Sequence, residues 1–217
     1  METERIRLRP WREGDAETLF KWASDPELGP RAGWPPHKNV EESRQIIRTL
    51  FMGEGMWAVE LKETGEAIGC IGYLTAGQSH LAITESECEV GYWIARPYWG
   101  QGICTEALRL VMDFCVREKG YKTLWGTYFP SNPASGKVMQ KCGFTDTGRE
   151  VLCPNLKVGS DKPVKVMKRA FSPAAPSATA PACPASKRRR NPIPGPCPGT
   201  ESSAQRIPDS CYRRATI

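Results

Sequence analysis

Apolar and polar positions alternate at the start of the chain: Ile6 and Leu8 sit between Arg5, Arg7 and Arg9, which predicts a strand with one buried face. Asp15 then stands where it can cap a short helix carrying Leu19, Phe20 and Trp22, which ends near Asp25-Pro26. Prolines and glycines between Leu28 and His37 predict a loop. Asn39 with Glu42 three residues on reads as a capping box opening a second helix, with Ile46, Ile47, Leu50 and Phe51 as its stripe. Residues 56–61 and 67–73 are apolar runs joined by Glu63-Thr-Gly-Glu66, as in a hairpin. A strand follows over 87–95. A helix over 100–119 is expected to bury Ile103, Ala107, Leu110, Val111 and Phe114, and to end at Gly120. Strands over 122–129, 144–151 and 163–170 and a short helix over 133–141 complete the order β-α-α-β-β-β-α-β-α-β-β.

The junction between the fourth strand and the long helix carries the first chemical signal. Trp99-Gly100-Gln101-Gly102-Ile103-Cys104-Thr105 links an apolar strand to a helix start. Free backbone N–H groups and the positive end of a helix dipole converge at such a turn, and glycine lets a phosphate approach. The turn lacks the Lys-Ser/Thr ending of a nucleotide P-loop and the three-glycine spacing of a dinucleotide fold. Alone it also describes an ordinary strand-to-helix turn.

A second motif changes the picture. Asn132-Pro133-Ala134-Ser135 precedes Lys141-Cys142-Gly143-Phe144, and Thr105-Glu106-Ala107 follows the glycine turn. With the opening Arg7-Leu8-Arg9-Pro10-Trp11, these resemble the GNAT-type N-acetyltransferase superfamily, and within it the RimJ/RimL-like branch, over roughly residues 3–170. Pro97 stands where the superfamily often has Gln or Arg, a trait of that branch. The resemblance implies an α/β (α+β) fold: a mixed, twisted sheet of about seven strands with helices on both faces. It also implies acetyl-CoA as donor. Its pyrophosphate would lie on the turn from Trp99 to Thr105, and its pantetheine arm along Tyr92-Trp93-Ile94-Ala95, with an N–H near Ile94 polarising the carbonyl. That strand is expected to splay from the next.

Asn132 and Ser135 carry two readings. Ser131 or Asn132 can cap the helix with Pro133 in its favoured first position. The resemblance adds that Asn132 contacts the pantetheine and that the Ser135 hydroxyl stabilises or protonates the departing thiolate. Glu87 and Glu89 share a strand face. By resemblance Glu89 is the first candidate for general base; the pair equally describes an exposed acidic face. Arg31, Trp34 and His37 are candidates for lining the acceptor site, against a merely rigid proline loop. An acidic lining would favour polyamines or aminoglycosides, a neutral one a peptide N-terminus.

Charge divides the chain. Residues 1–170 hold 23 Lys/Arg and 22 Asp/Glu, and residues 171–217 hold 7 and 2, so +5 of the net +6 belongs to the end of the chain. Residues 172–217 are rich in proline and poor in large apolar groups, and are expected to be disordered, following an acetyltransferase domain over 1–171. Lys187-Arg188-Arg189-Arg190 reads as a solvated charge run rather than a nucleic-acid contact.

The nine cysteines include no Cys-x-x-Cys, and His37 and His80 are the only histidines. A metal or disulfide framework is therefore not expected, and the thiols fit a reducing cytoplasm. No apolar run is long enough to span a membrane, and no signal-peptide pattern is seen at Met1. The reading is of direct acetyl transfer to a primary amine, foremost a protein N-terminus such as that of a ribosomal protein. Small-molecule amines and a non-catalytic acyl-CoA-binding module are the alternatives. A covalent route through Cys104 or Cys142 is set aside because neither has an evident histidine partner in the sequence.

Overall fold

A computed structural model describes residues 1–154 and 156–171. The tail expected over 172–217, with its basic run, lies outside the described residues.

Seven strands form one sheet in the order β1-β2-β3-β4-β5-β7-β6. They are β1 (Ile6–Arg9), β2 (Met56–Leu61), β3 (Glu66–Leu74), β4 (Glu87–Ile94), β5 (Thr123–Tyr128), β6 (Thr145–Leu152) and β7 (Pro163–Ala170). β4 and β5 run parallel; every other pair is antiparallel. The parallel pair needs a crossover, which α4 (Ile103–Arg117) supplies. The mixed sheet with helices on both faces is the expected GNAT fold.

One face packs against α4 and α5 (Pro133–Lys141), around Ile6, Leu8, Ile71, Leu108, Leu124, Met139 and Met167. The other face packs against α1 (Ala16–Ala23) and α3 (Val40–Ile46), around Trp11, Leu19, Ile47, Cys70 and Trp93. A bulge lets β3 serve both. Val59 faces Gly69 and Glu60 faces Ala67, so Ile68 is the extra residue. Ile68 and Ile71 thereby both reach the α4 side, although three residues apart on a strand.

Local details differ from the sequence reading. Asp15 occupies the N-cap of α1 but its side chain does not cap it. It accepts instead from both terminal nitrogens of Arg9, at 2.8 Å each, and from the Arg12 N–H. Asn39 caps α3 through the Glu42 N–H, whereas the Glu42 carboxylate reaches back to the Lys38 N–H. The 28–37 loop contains a one-turn helix, α2 (Gly29–Ala32). The buried stripe of α4 includes Leu108, Met112 and Cys115, while Leu110 and Phe114 sit at its margin. A helix lying flat on a sheet buries a wider face than one turn of periodicity suggests.

Arg9, Asp15 and Glu60 form a largely buried charged cluster, with Arg9 Nε 2.5 Å from Glu60. Bonding to Asp15 raises the Arg9 pKa further above its ordinary value. Arg9→Met leaves two carboxylates without their common cation. We expect it to cost about 3 kcal/mol or more in denaturant unfolding, with much of that recovered in the triple variant Arg9→Met/Asp15→Asn/Glu60→Gln.

Candidate active site

The site begins where the parallel pair ends. β4 and β5 pair from Glu87↔Thr123 to Val90↔Gly126 and no further. Beyond that point β5 continues beside β7, while β4 stays with β3 to Ile94. The gap opens a cleft of about 360 Å³ lined by β4, β5, the glycine turn and α5.

Backbone groups that pairing would have consumed are left facing the gap. Ala95 N–H donates to Ile68 O at 2.8 Å. Strand alternation turns the N–H and C=O of Ile94 the other way, toward the cleft. Trp99 Nε1 closes on that carbonyl at 2.6 Å, leaving the N–H as a donor. Trp99 is itself 40% exposed, with the Arg31 guanidinium over its ring at 5.6 Å.

Gly100 and Gly102 adopt φ of +75° and +79°, and Gly102 is the N-cap of α4. No side chain caps that helix start. Apart from the adjoining residues of the chain, no heavy atom comes nearer than 4.0 Å to where a Cβ on either glycine would be, so the helix end is open. The turn is braced from β1. Arg5 donates to Gln101 O at 3.2 Å and to Glu106 at 2.9 Å, and Thr3 also bonds Glu106. Lys137 and Lys141 line the same cleft. Open amides, a helix dipole and two lysines make a fitting cradle for a polyanionic donor such as a CoA thioester.

Along the wall, Tyr92 from β4 meets Ser135 from α5. Tyr92 OH donates to Ser135 O at 2.8 Å, and Ser135 Oγ donates to Tyr92 OH at 3.3 Å. Burial raises the Tyr92 pKa well above its ordinary value, so the phenol keeps its proton. Both hydroxyls carry their protons and lie on the cleft wall. Sequence alone placed Tyr92 only as strand wall; its approach to Ser135 depends on α5 crossing the gap. Asn132 starts α5 without capping it through its side chain, and its amide donates to Arg31 O at 3.3 Å. That bond ties α5 to the one-turn helix α2.

Of the residues singled out in the sequence, Tyr92, Trp93, Ile94, Trp99, Gly100, Gly102, Ile103, Cys104, Thr105, Arg31, Asn132 and Ser135 all line the cleft. Ala95 and Gln101 stand just outside its wall. Glu89 is 1% exposed, so it is no exposed acidic face; it lies behind Thr127, whose hydroxyl donates to it at 3.0 Å. Trp34 and His37 are not among the lining residues. Trp34 packs edge-on to Trp93 in the helix-side core, and His37 Nδ1 lies 2.8 Å from Ser43 Oγ. The cleft instead recruits Phe129, Cys153, Leu156 and Val164. No sequence motif marks these, because β5, β6 and β7 meet there only after the sheet forms. Among the described residues no group of three or more His, Cys, Asp or Glu side chains is placed to hold a metal ion, and no helix is long and apolar enough to cross a membrane.

A splayed parallel pair, an open glycine turn and a hydrogen-bonded Tyr92–Ser135 pair on the wall fit an acyl-group transferase. The Acetyltransferase (GNAT) domain model matches residues 5–145, and the chain belongs to that family of N-acetyltransferases. The chain is 28% identical over 153 residues to the Bacillus subtilis protein named uncharacterized N-acetyltransferase YoaA, covering 68% of this chain and 84% of that one. A structure of a putative ribosomal-protein-serine acetyltransferase from Vibrio cholerae matches with TM-score 0.61 at 23% identity, over 78% of this chain and 96% of that one. Spermidine N-acetyltransferase from Vibrio cholerae, in complex with CoA and spermine, matches with TM-score 0.61 at 16% identity, over 77% and 96%. At these identities the structures show the shared fold.

Two outcomes test the geometry. Gly102→Val should weaken CoA binding by at least roughly tenfold in titration calorimetry, because a β-branched residue resists positive φ and covers the amides. His37 should be neutral: burial pushes its pKa down to about 4, with Lys157 adding and Glu42 opposing. Between about pH 6.5 and that value the unfolded chain binds the extra proton, so stability falls as pH drops through this window. Urea midpoints should follow that slope, worth up to roughly 3 kcal/mol, and His37→Gln should flatten it.

Proposed function

We propose that the chain transfers acetyl from acetyl-CoA to the α-amine of a peptide or protein N-terminus, as a cytoplasmic member of the RimJ/RimL-like branch. The carrying observation is the cleft's charge. Leu28, Ala32, Phe129, Leu156 and Val164 line it, and no aspartate or glutamate among the described residues does. Its charged lining residues are Arg31, Lys137 and Lys141. Such a lining repels a polyamine or an aminoglycoside and accepts an amine joined to a neutral, apolar neighbour. The likeness to a ribosomal-protein acetyltransferase supports this reading, and the likeness to a spermidine enzyme is outweighed by the missing acids.

In this reading the pyrophosphate rests on the turn from Trp99 to Thr105, and the acetyl carbonyl meets the Ile94 N–H. Ser135 and Tyr92 protonate the CoA sulfur. An α-amine has a pKa near 8, so a modest fraction is already neutral and Glu89, acting from behind Thr127, need not be a strong base.

CoA release measured across N-terminal peptides, polyamines, aminoglycosides and amino acids tests the proposal. Peptides with small or apolar first residues should be the substrates, and Ser135→Ala should lower kcat about 100-fold with little change in the KM for acetyl-CoA. Turnover on polyamines alone would overturn the assignment. Saturable binding of acetyl-CoA with no turnover on any amine would mark a binding module.

A further inference from the structure

At the parting of β4 and β5 the Tyr92–Ser135 pair stands on the α5 side of the sheet. A buried polar chain reaches the cleft from the other side and ends at Thr127. A Cβ on Gly126 would meet Met139 Sδ of α5 at 2.5 Å, so Thr127, the next residue on the strand, points to the opposite face. Thr127 lines the cleft, and its Oγ1 donates to Glu89 Oε1 at 3.0 Å. Behind it, Ser79 Oγ donates to Glu89 Oε2 at 2.6 Å, and His80 Nδ1 lies 3.4 Å from the same oxygen. His80 Nε2 is 2.9 Å from the Cys153 sulfur. Ser79, Glu89 and Cys153 are buried, and the His80 side chain is nearly so.

Every proton in this chain has a direction. Ser79 Oγ accepts the Leu81 N–H at 2.9 Å, so its own proton goes to Glu89. Burial, with the Glu89 charge adding, pushes the Cys153 thiol up to about 12, so it stays S–H and donates to His80 Nε2. The His80 proton is thereby left on Nδ1, facing Glu89. Ser79 and His80 together engage Oε2, and Oε1 is the oxygen turned to Thr127. The Thr127 proton is committed to Glu89, and the lone pairs of Oγ1 are left for the cleft. Among the described residues none donates to that oxygen. A carboxylate on the far side of a hydroxyl polarises it and makes it a stronger acceptor. Thr127 directly follows the residue at which β5 leaves β4, so this acceptor stands at the mouth of the gap.

We propose that Thr127 receives the incoming amine, accepting one of its N–H groups on Oγ1, and that Ser79 and His80 are positioning residues that hold Thr127 in this role through Glu89. The inference rests on the direct acetyl transfer proposed above and adds the group that meets the nucleophile. A neutral amine can donate an N–H to Thr127 while its lone pair faces the acetyl carbon; an ammonium has no lone pair to offer. As the nitrogen bonds to the acetyl carbon, its proton passes to Thr127 Oγ1 and the Thr127 proton passes to Glu89 Oε1. The carbon–sulfur bond breaks, and the CoA sulfur takes a proton from the Ser135–Tyr92 pair across the gap. After product release the proton on Glu89 leaves through Thr127 to water, and the pair takes one up. Acid and acceptor thus work from opposite faces of the sheet. Because Thr127 stands between Glu89 and the cleft, the substrate meets a hydroxyl rather than a bare carboxylate.

The test uses the full chain and whichever amine of the panel above it acetylates fastest. Thr127→Val, close in shape but without the hydroxyl, should lower kcat/KM for that amine roughly 100-fold. Its affinity for CoA in titration calorimetry should stay within about twofold, and Thr127→Ser should restore most of the rate. His80→Asn, whose amide nitrogen can stand where Nδ1 stands, should outperform His80→Leu by roughly tenfold in kcat. A side chain that only filled the core would give the reverse order. A crystal structure of the unaltered chain with CoA and that amine, which does not depend on a variant folding, should place the amine nitrogen within about 3.2 Å of Thr127 Oγ1. Thr127→Val as active as Thr127→Ser, or an amine nitrogen bound away from Thr127, overturns the proposal while leaving the acetyltransferase assignment intact. If the fastest amine is a polyamine and the Thr127 variants behave as expected, the N-terminal assignment falls and the role of Thr127 stands. No turnover on any amine overturns both.

Discussion

The parting of β4 from β5 after Val90 and Gly126 is the constraint on which the rest of the site depends. A continuous parallel ladder would have consumed the Ile94 N–H and C=O and closed the space between the strands. Separation has a cost, because strand backbone loses its partners. Part of that cost is offset locally: the Trp99 indole satisfies the Ile94 carbonyl. What remains unpaired is what chemistry needs. The glycine turn, the Tyr92–Ser135 pair and the Thr127–Glu89 bond all gather around the rim of this one opening.

The opening is held by contacts far apart in sequence. Arg5 and Thr3 tie the start of β1 to Glu106 and to the glycine turn. Asn132 ties α5 to the Arg31 carbonyl in α2. Tyr92 ties β4 to α5. Three separate elements are thereby fixed to one gap, which holds reacting groups in register better than loops could. The two faces of the sheet carry different duties. The α4 side presents the donor turn, and the α1–α3 side, with Trp34 and Trp93, forms an apolar floor.

Much of this was legible before the fold was known. Periodicity and turn residues placed every strand and the four main helices, although β3 is buried on both faces and β6 has no fully buried residue. The turn proposed to hold the donor was readable as a turn because its parts are contiguous: Trp99 to Thr105 is local, and local geometry follows from local residues. The acceptor end was not. Arg31, Trp34 and His37 were grouped by nearness in the chain, but α2 turns Arg31 toward the cleft while Trp34 folds into the core. Phe129, Cys153, Leu156 and Val164 come from three different strands and their connections, and only tertiary pairing assembles them. Glu89 illustrates the middle case. Its position on the strand was visible, whereas its burial, and the company of His80 and Cys153, depends on the β3–β4 connection folding over it.

The strand order bears on how the protein emerges during synthesis. β7 is the last strand in the chain but lies between β5 and β6 in the sheet. Until residues 163–170 are available, β6 has no neighbour to pair with and one edge of β5 stands bare. The half of the cleft built from β4, α4 and the glycine turn can form on a growing chain, but the wall at Cys153, Leu156 and Val164 cannot. A nascent chain paused before β7 would therefore expose an unprotected strand edge beside a nearly complete donor turn. In that interval association with a neighbouring nascent copy competes with completion of the enzyme.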